Sequence, residues 1–326
     1  MLKPSHKVWA VVSALFVLLF TCNGAFAQAF PSRPVRIVVP FAPGGGADIY
    51  ARMLAQAMSS QLGQSVVVEN DGGGAGMIAL EKVSRAPKDG HTLLLTTSTA
   101  ISAVPNLYKK LPYKVEDFTP VALIGKFPFH VFVHPSVPVR DMREFVAYAK
   151  ANPGKLSYAT AGRGSIPHLV GEMVKGSLGL DMLDVAYKGS GPAVSDLVAG
   201  HVQVFMDVAS PALTHALAGK LKVLAVMDEK RVPQIPDVPT MDELGYPGLV
   251  GYNRYSLLAP TGTPRPVIEL LNKAALRAME TGALRDRQAA DGASPGAVSP
   301  EQLGVLLKAD FEMWGGVIKR LGITLD

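Results

Sequence analysis

A short β-branched run, a glycine-rich turn and then a helix recur along this chain, and that order constrains the fold more than any other feature. Residues 35–39 make the first such run, which ends at Pro40. Gly44, Gly45 and Gly46 then lead into an expected helix over 47–62. The same grammar returns as a strand over 66–68, a glycine turn over 72–76, a helix over 77–84 and a strand over 92–96. Short apolar strands that alternate with helices build parallel sheets through right-handed crossovers, so the class is α/β.

The middle of the chain repeats the pattern. Strands are expected over 131–133, 156–159, 184–187, 202–206 and 222–226, with helices over 142–150, 167–178, 192–199 and 211–218 between them. A proline-rich stretch over 232–239 breaks the rhythm, 255–258 resumes it, and helices over 264–279 and 300–321 close the chain. The length suits two α/β units. Irregular, proline-bearing stretches at 125–128 and 247–253 are the candidate crossings between them. The expected architecture is therefore a two-lobed clamshell of the periplasmic-binding-protein type II-like kind. Each lobe is a mostly parallel sheet flanked by helices, and two strands form the hinge. The expected boundaries are 28–126 with 251–326 for one lobe and 127–250 for the other.

The N-terminus points to export. Lys3 and Lys7 precede an apolar run of 13 residues over 8–20, and Ala25-Phe26-Ala27 ends it with small residues at the two positions a signal peptidase reads. The expected cleavage precedes Gln28 and delivers the chain to the periplasm. The run is shorter than the roughly 20 residues a membrane span needs. Cys22 raises a lipoprotein reading, which Phe20 and Thr21 disfavour. Cleavage also removes the only cysteine, so the mature protein is held by its core and not by disulfides. The net charge falls from +5 to +3, too little to argue for nucleic acid but compatible with drawing in small anions.

Four features lie at the carboxyl ends of expected strands, where open α/β sheets bind their ligands. The first is the loop Pro40-Phe41-Ala42-Pro43-Gly44-Gly45-Gly46-Ala47-Asp48. Glycine there lets backbone approach a ligand, and a helix N-terminus favours a carboxylate or phosphate. A tight turn with Asp48 complementing the helix dipole is the plain alternative. The loop is neither a dinucleotide fingerprint nor a P-loop, because the glycine spacing and the lysine are absent. The second is 160–168, with Ser165 placed to cap a helix, Arg163 on the loop and His168 in the first turn. The third is Tyr187-Lys188-Gly189-Ser190-Gly191-Pro192, and the fourth is Asp207 at the end of a strand.

Enzymatic constellations are weak. There is no GxSxG elbow, and no cysteine survives maturation. His130 and His134 have helical metal-ligand spacing, but they sit in a strand-like run that sets them roughly 13 Å apart. No catalytic residue, metal or cofactor is expected.

Together these segments resemble the Bug-type, TctC-like extracytoplasmic solute-binding receptors of the tripartite tricarboxylate transporter family. The matching runs are Pro-Val-Arg-Ile-Val-Val-Pro-Phe-Ala-Pro-Gly-Gly-Gly-Ala-Asp (34–48), Val-Val-Glu-Asn (67–70), Asp-Gly-His-Thr-Leu-Leu-Leu (89–95) and Leu-Tyr-Lys-Lys-Leu-Pro-Tyr (107–113). Further on stand Asp-Phe-Thr-Pro-Val-Ala (117–122), Tyr-Lys-Gly-Ser-Gly-Pro-Ala (187–193), Pro-Asp-Val-Pro-Thr-Met-Asp-Glu-Leu-Gly (236–245) and Leu-Ala-Pro-Thr-Gly-Thr-Pro (258–264). The resemblance spans essentially the whole mature chain, in order.

It implies a non-enzymatic receptor that closes on a small carboxylate and hands it to the membrane subunits of a tripartite tricarboxylate transporter, with monomer as the default state. It also implies that Phe41, Ala42, Pro43, Gly44, Gly45, Gly46 and Asp48 form the first-lobe clasp. Gly74 and Ala75 would lie beside it, and Ser98 and Thr99 at the next strand end. Gly162, Ser165, His168, Tyr187, Lys188, Gly189 and Asp207 would face the ligand from the second lobe. Asp207 resembles the position that meets the ammonium group in amino-acid-binding members. One departure stands out: where the family carries an Arg-Pro-Gly-Ala-Gly-Gly-type run, this chain has Asp71-Gly72-Gly73-Gly74-Ala75-Gly76, which predicts a looser loop. A sensor input for a two-component kinase and a periplasmic enzyme acting on carboxylates are the rival readings.

Overall fold

The computed structural model describes residues 30–73, 76–208 and 211–325. The expected signal peptide lies outside them. The chain divides into a short unit ending at Ser32 and one compact unit that begins at Arg33 and holds every named element.

That unit opens with β1 (Val35–Val39), α1 (Gly46–Leu62), β2 (Val66–Asn70), α2 (Met77–Ser84) and β3 (Thr92–Thr97). A wide helical turn over Thr99–Ala103 runs into the short α3 (Val104–Leu107). Next come β4 (Phe118–Val133), α4 (Met142–Ala151), β5 (Leu156–Thr160), α5 (Ile166–Leu178), β6 (Met182–Ala186) and α6 (Ser190–Ala199). Then follow β7 (Val204–Val208), α7 (Ala212–Leu217), β8 (Lys222–Val226), β9 (Tyr252–Pro260), α8 (Arg265–Met279), α9 (Gly282–Ala290), β10 (Ser294–Pro295) and α10 (Pro300–Leu321).

Local chemistry accounts for most of these elements. α1 buries Tyr50, Ala51, Leu54, Ala55 and Met58, the i, i+4 stripe of an amphipathic helix, and stops at Gly63 in the left-handed conformation. α5 begins where the Ser165 side chain accepts the His168 N–H and where Pro167 suits the first turn. α10 opens with a capping box in which Ser299 and Gln302 satisfy each other's backbone N–H groups.

The strands lie in two sheets that share one strand. The first has the order β2-β1-β3-β9-β4-β10, the second β8-β4-β7-β5-β6. The outer strands pair in parallel, as the strand–helix alternation leads one to expect: β1 with β2 and β3, and β5 with β6 and β7. The strands that join the sheets add antiparallel pairs, β9 with β3 and β4, and β4 with β7 and β8. β4 is 16 residues long and serves both sheets, its first part against β9 and its last residues, from Phe129, against β7 and β8. Just before β9, Gly251 accepts a hydrogen bond from the Phe129 N–H at 2.9 Å and donates to the Met227 carbonyl at 3.0 Å. Two lobes joined by two strands make the clamshell. A core around Val38, Leu80, Leu94, Leu258 and Leu303 fills one lobe, and a core around Phe132, Leu197, Phe205 and Val226 fills the other.

Candidate ligand-binding cleft

The carboxyl ends of β1 and β3 in one lobe face those of β5 and β6 in the other. Between them lies a small cavity of about 20 Å³, room for about one water molecule. Gly45, Gly46 and Ala47 line it from the N-terminus of α1, and Ser190 from the N-terminus of α6. Neither helix has a side-chain cap: Gly45 precedes α1, and Gly189, at φ 125°, precedes α6. The first N–H groups of both helices are therefore uncommitted to any capping side chain, and both helix dipoles put their positive ends at the same space. α5 differs in having its N-terminus closed by Ser165.

The loop before α1 is braced from behind. Asp48 is buried and accepts from the Gly44 N–H at 2.9 Å, from Arg52 Nε at 3.1 Å and from Asn70 Nδ2 at 3.0 Å. Asn70 also donates to the Phe41 carbonyl at 3.1 Å and accepts from Arg52 at 2.9 Å. Burial by itself raises the Asp48 pKa, but the bonds from Arg52, Gly44 and Asn70 outweigh it and hold the carboxyl below its ordinary value. Gly72 lies so close that an added Cβ would sit 3.1 Å from the Ala42 nitrogen.

The loop before α6 rests on a different acid. Asp207 is the penultimate residue of β7, only 2% exposed, and accepts from the Ser190 hydroxyl and from the Val208 N–H at 2.8 Å. Burial pushes its pKa up to about 7, more than those two bonds lower it. The two loops touch. Ala42 N–H donates to the Lys188 carbonyl at 3.1 Å, and an added Cβ on Gly191 would stand 2.6 Å from the Pro43 oxygen. A second contact joins the lobes where the Ile166 N–H donates to Thr99 Oγ1 at 3.0 Å. The clamshell is closed.

The residues singled out in the sequence divide into groups. Phe41, Gly45, Gly46 and Thr99 line the inner cavity. Phe41 also borders a neighbouring cavity of about 280 Å³ with Gly162, Tyr187, Lys188 and Arg163, which brings two cationic side chains beside the cleft. Ala42, Pro43, Gly44 and Gly189 form the contact between the loops. Asp48 stands behind its loop, and the hydroxyl of Ser190 stands between Asp207 and the cavity.

Three residues are engaged elsewhere. Ser165 is a helix cap. His168 accepts the Gly164 N–H at Nδ1, 3.4 Å away, and burial lowers its pKa. Ser98 donates to Asp310 and accepts the Arg254 N–H, facing the hinge and not the cavity. Gly74 and Ala75 lie outside the described residues. The acid that replaces the family's arginine is anchored: Asp71 pairs with Lys82 at 2.7 Å, and its N–H bonds to the Val39 carbonyl at 2.9 Å.

Thr97, Asn253 and Tyr255 line the cavity from outside the segments singled out in the sequence, while Ala47, Ala161, Pro167 and Ser190 lie within those segments but were not among the expected contacts. Asn253 and Tyr255 come from β9, two positions apart and so on one face of the strand. Their alternation was readable, but which side of β9 meets the cleft is set by pairing with β3 and β4. No lysine or arginine lines the inner cavity among the described residues, so its positive potential comes from backbone. His130 and His134 stand at the end of β4 in extended chain, too far apart to share an ion.

A cleft between two lobes, lined by helix N-termini and flanked by cationic side chains, is the site of a solute-binding receptor. The chain belongs to the tripartite tricarboxylate transporter family receptors, whose family profile matches residues 50–323. It is similar to protein BugT of Bordetella pertussis, 37% identical over 321 residues that cover 98% of each chain. Among solved structures it is similar to R. palustris Rpa4515 with adipate, 33% identical with a TM-score of 0.87, covering 90% of this chain and 99% of that one. It is also similar to MatC from Rhodopseudomonas palustris with bound malate, 34% identical with a TM-score of 0.84, covering 89% and 100%. The family is one of receptors and not of enzymes.

Proposed function

We propose that this protein captures a small carboxylate between its lobes outside the cytoplasm and delivers it to the membrane subunits of a tripartite tricarboxylate transporter. The observation that carries the reading is the meeting of two uncapped helix N-termini, α1 from one lobe and α6 from the other, at one cavity. An anion bridging them is held by backbone donors from both sides, and charge-assisted bonds of that kind are roughly twice as strong as neutral ones. Because half of the donors belong to each lobe, the ligand favours the closed state over the open one and shifts the population toward it. The adipate and malate held by the two similar proteins support a carboxylate as cargo.

The same reading assigns the parts. Residues 28–126 and 251–326 form the lobe that carries the α1 clasp, and 127–250 form the lobe that closes on it. The leader over 1–27 is removed on export, and the mature protein works in the periplasm as a monomer. Residues 41–46 with Thr99 form the first-lobe contact surface, and 187–191 the second. Asp48 and Asp207 act on the ligand through the loops they hold.

A thermal-shift screen of the exported protein against mono-, di- and tricarboxylates, aromatic acids and acidic amino acids tests this. A ligand at a hundredfold excess over its Kd stabilises the folded state by roughly 2.7 kcal/mol. For a chain of this size the transition should rise by several degrees. A response confined to one class of acid supports the reading. Silence across the panel, with the protein verified to be free of copurified ligand, sinks it.

A further inference from the structure

The helix N-termini give the cavity donors, and two of its lining side chains carry acceptors. The Ser190 hydroxyl donates to Asp207, which leaves its oxygen to accept. Asn253 lines the same space, is 5% exposed, and its Oδ1 has no hydrogen-bond partner. A buried amide oxygen without a donor bears the full desolvation penalty of that group, and native structures leave few of them.

The strand cannot relieve this by turning. On the opposite face of β9, Tyr252 donates to Asp310 at 2.9 Å, and Arg254 grips the same carboxylate through Nε at 2.8 Å and Nη2 at 3.0 Å. Ser98 accepts the Arg254 N–H at 3.0 Å. Asn253 itself pairs with Phe127 in β4, where the chain passes from one lobe to the other. The residue is thus fixed from behind at the hinge, and it lines the cleft with an acceptor that no protein group fills.

We propose that Asn253 is a specificity-determining ligand contact, which selects a carboxylate that also carries a hydrogen-bond donor, a hydroxyl or an ammonium group. The proposal rests on the carboxylate reading above and adds the second half of the ligand. The donor satisfies Asn253 Oδ1, and a substrate lacking it leaves that oxygen unpaired. Pockets built to meet a hydroxyl reject the analogue without it far more strongly than apolar pockets reject an extra carbon. Asn253 lies on a hinge strand, so the contact forms at the place where closure is transmitted.

The experiment compares three acids on one four-carbon skeleton: L-malate with a hydroxyl, L-aspartate with an ammonium, and succinate with neither. Calorimetric titration of the full chain, expressed with its own leader and purified after export, gives their dissociation constants, and Asn253→Leu and Asn253→Ala are measured beside it. The expected result is at least a tenfold preference for malate or aspartate over succinate, and the favoured acid identifies the donor. In both variants that preference should collapse to within about threefold, through weaker binding of the favoured acid. Without ligand, Asn253→Leu should melt at or above the wild type, because it removes an unpartnered acceptor.

Equal wild-type binding of all three acids, or a preference that survives both substitutions, overturns the proposal and leaves the carboxylate reading standing. So does binding of none of the three by a protein that responds to another carboxylate. An unliganded Asn253→Leu protein that melts well below the wild type overturns it too, by making Asn253 a structural group. A wild type silent to every carboxylate overturns both readings at once.

Discussion

The two loops that meet across the cleft look alike in sequence and are held in opposite ways. Each follows a strand, carries glycines, opens an uncapped helix and is backed by one buried aspartate. Asp48 accepts from three side-chain or backbone partners, Arg52 among them, and its pKa lies below the ordinary value. Asp207 has a serine hydroxyl and one N–H, no cation in contact, and a pKa raised by burial to about 7. The first loop is cross-braced by an acid whose charge its partners satisfy. The second leans on an acid with fewer bonds, whose ionised form burial disfavours. A receptor gains from that division: one rigid clasp to recognise the group all its ligands share, and one adaptable jaw to sense the rest.

The largest effect should come from breaking the contact between the loops. Gly191 has no unusual φ, yet a Cβ there would meet Pro43, Gly44 and Gly45 backbone at 2.6 to 3.1 Å. Gly191→Ala should leave the open protein as stable as the wild type or slightly more so, because alanine suits a helix better than glycine. Closure is another matter, since neither backbone can yield without parting the lobes. Ligand affinity should fall a hundredfold or more, which is about 2.7 kcal/mol. Titration calorimetry reads it, and wild-type affinity would show that the loops do not meet around a bound ligand.

Asp48→Ala should act on stability first. It strips the first loop of the acceptor for Gly44, Asn70 and Arg52 together, and leaves buried donors unpaired. A cost of about 2 kcal/mol is expected, read as a lower urea midpoint with an unchanged slope. Affinity should fall too, because the clasp is no longer preorganised. If the midpoint holds while affinity falls, Asp48 touches the ligand itself and the contrast between the loops is wrong.

How much of this could be read beforehand depended on sequence distance. The loop at 40–48 was legible because strand, glycines, helix and acid lie within one short window. The Ser165 cap was legible for the same reason. β4 was not: Pro120, Gly125 and Pro128 interrupt its apolar run, so only 131–133 read as a strand, and 125–128 read as an irregular crossing. In the fold it stays extended through the crossing, with register shifts after Pro120 and before Gly125 absorbing the misfit. Asn253 and Tyr255 escaped because their place depends on β9 inserting between β3 and β4, which no local pattern encodes. The surroundings of Ser98 were hidden in the same way: its partner Asp310 lies 212 residues away, so nothing near Ser98 says which side of the chain it faces.

The smallest effect is also the sharpest test of the contrast, because the two acids should give opposite pH dependences. Asp48 has a folded pKa below its ordinary 3.8, so its contribution is present above that value and is lost as pH falls through the folded value. Asp207 has a folded pKa near 7 against an ordinary 3.8, so the folded state binds its proton more tightly than the unfolded chain does. Its contribution is complete below about pH 4 and disappears as pH rises through about 7. Asp207→Asn keeps the shape and the acceptor for Ser190 but cannot ionise. The wild type should therefore lose about 1–2 kcal/mol relative to Asp207→Asn between pH 5.5 and pH 8, measured by urea unfolding at each pH. Comparing the two proteins also cancels the buried His130, whose pKa of about 4 gives the wild type and the variant the same loss on the acid side. A difference that stays flat with pH would mean that Asp207 is ionised throughout and held by a cation, which would make the second loop as rigid as the first.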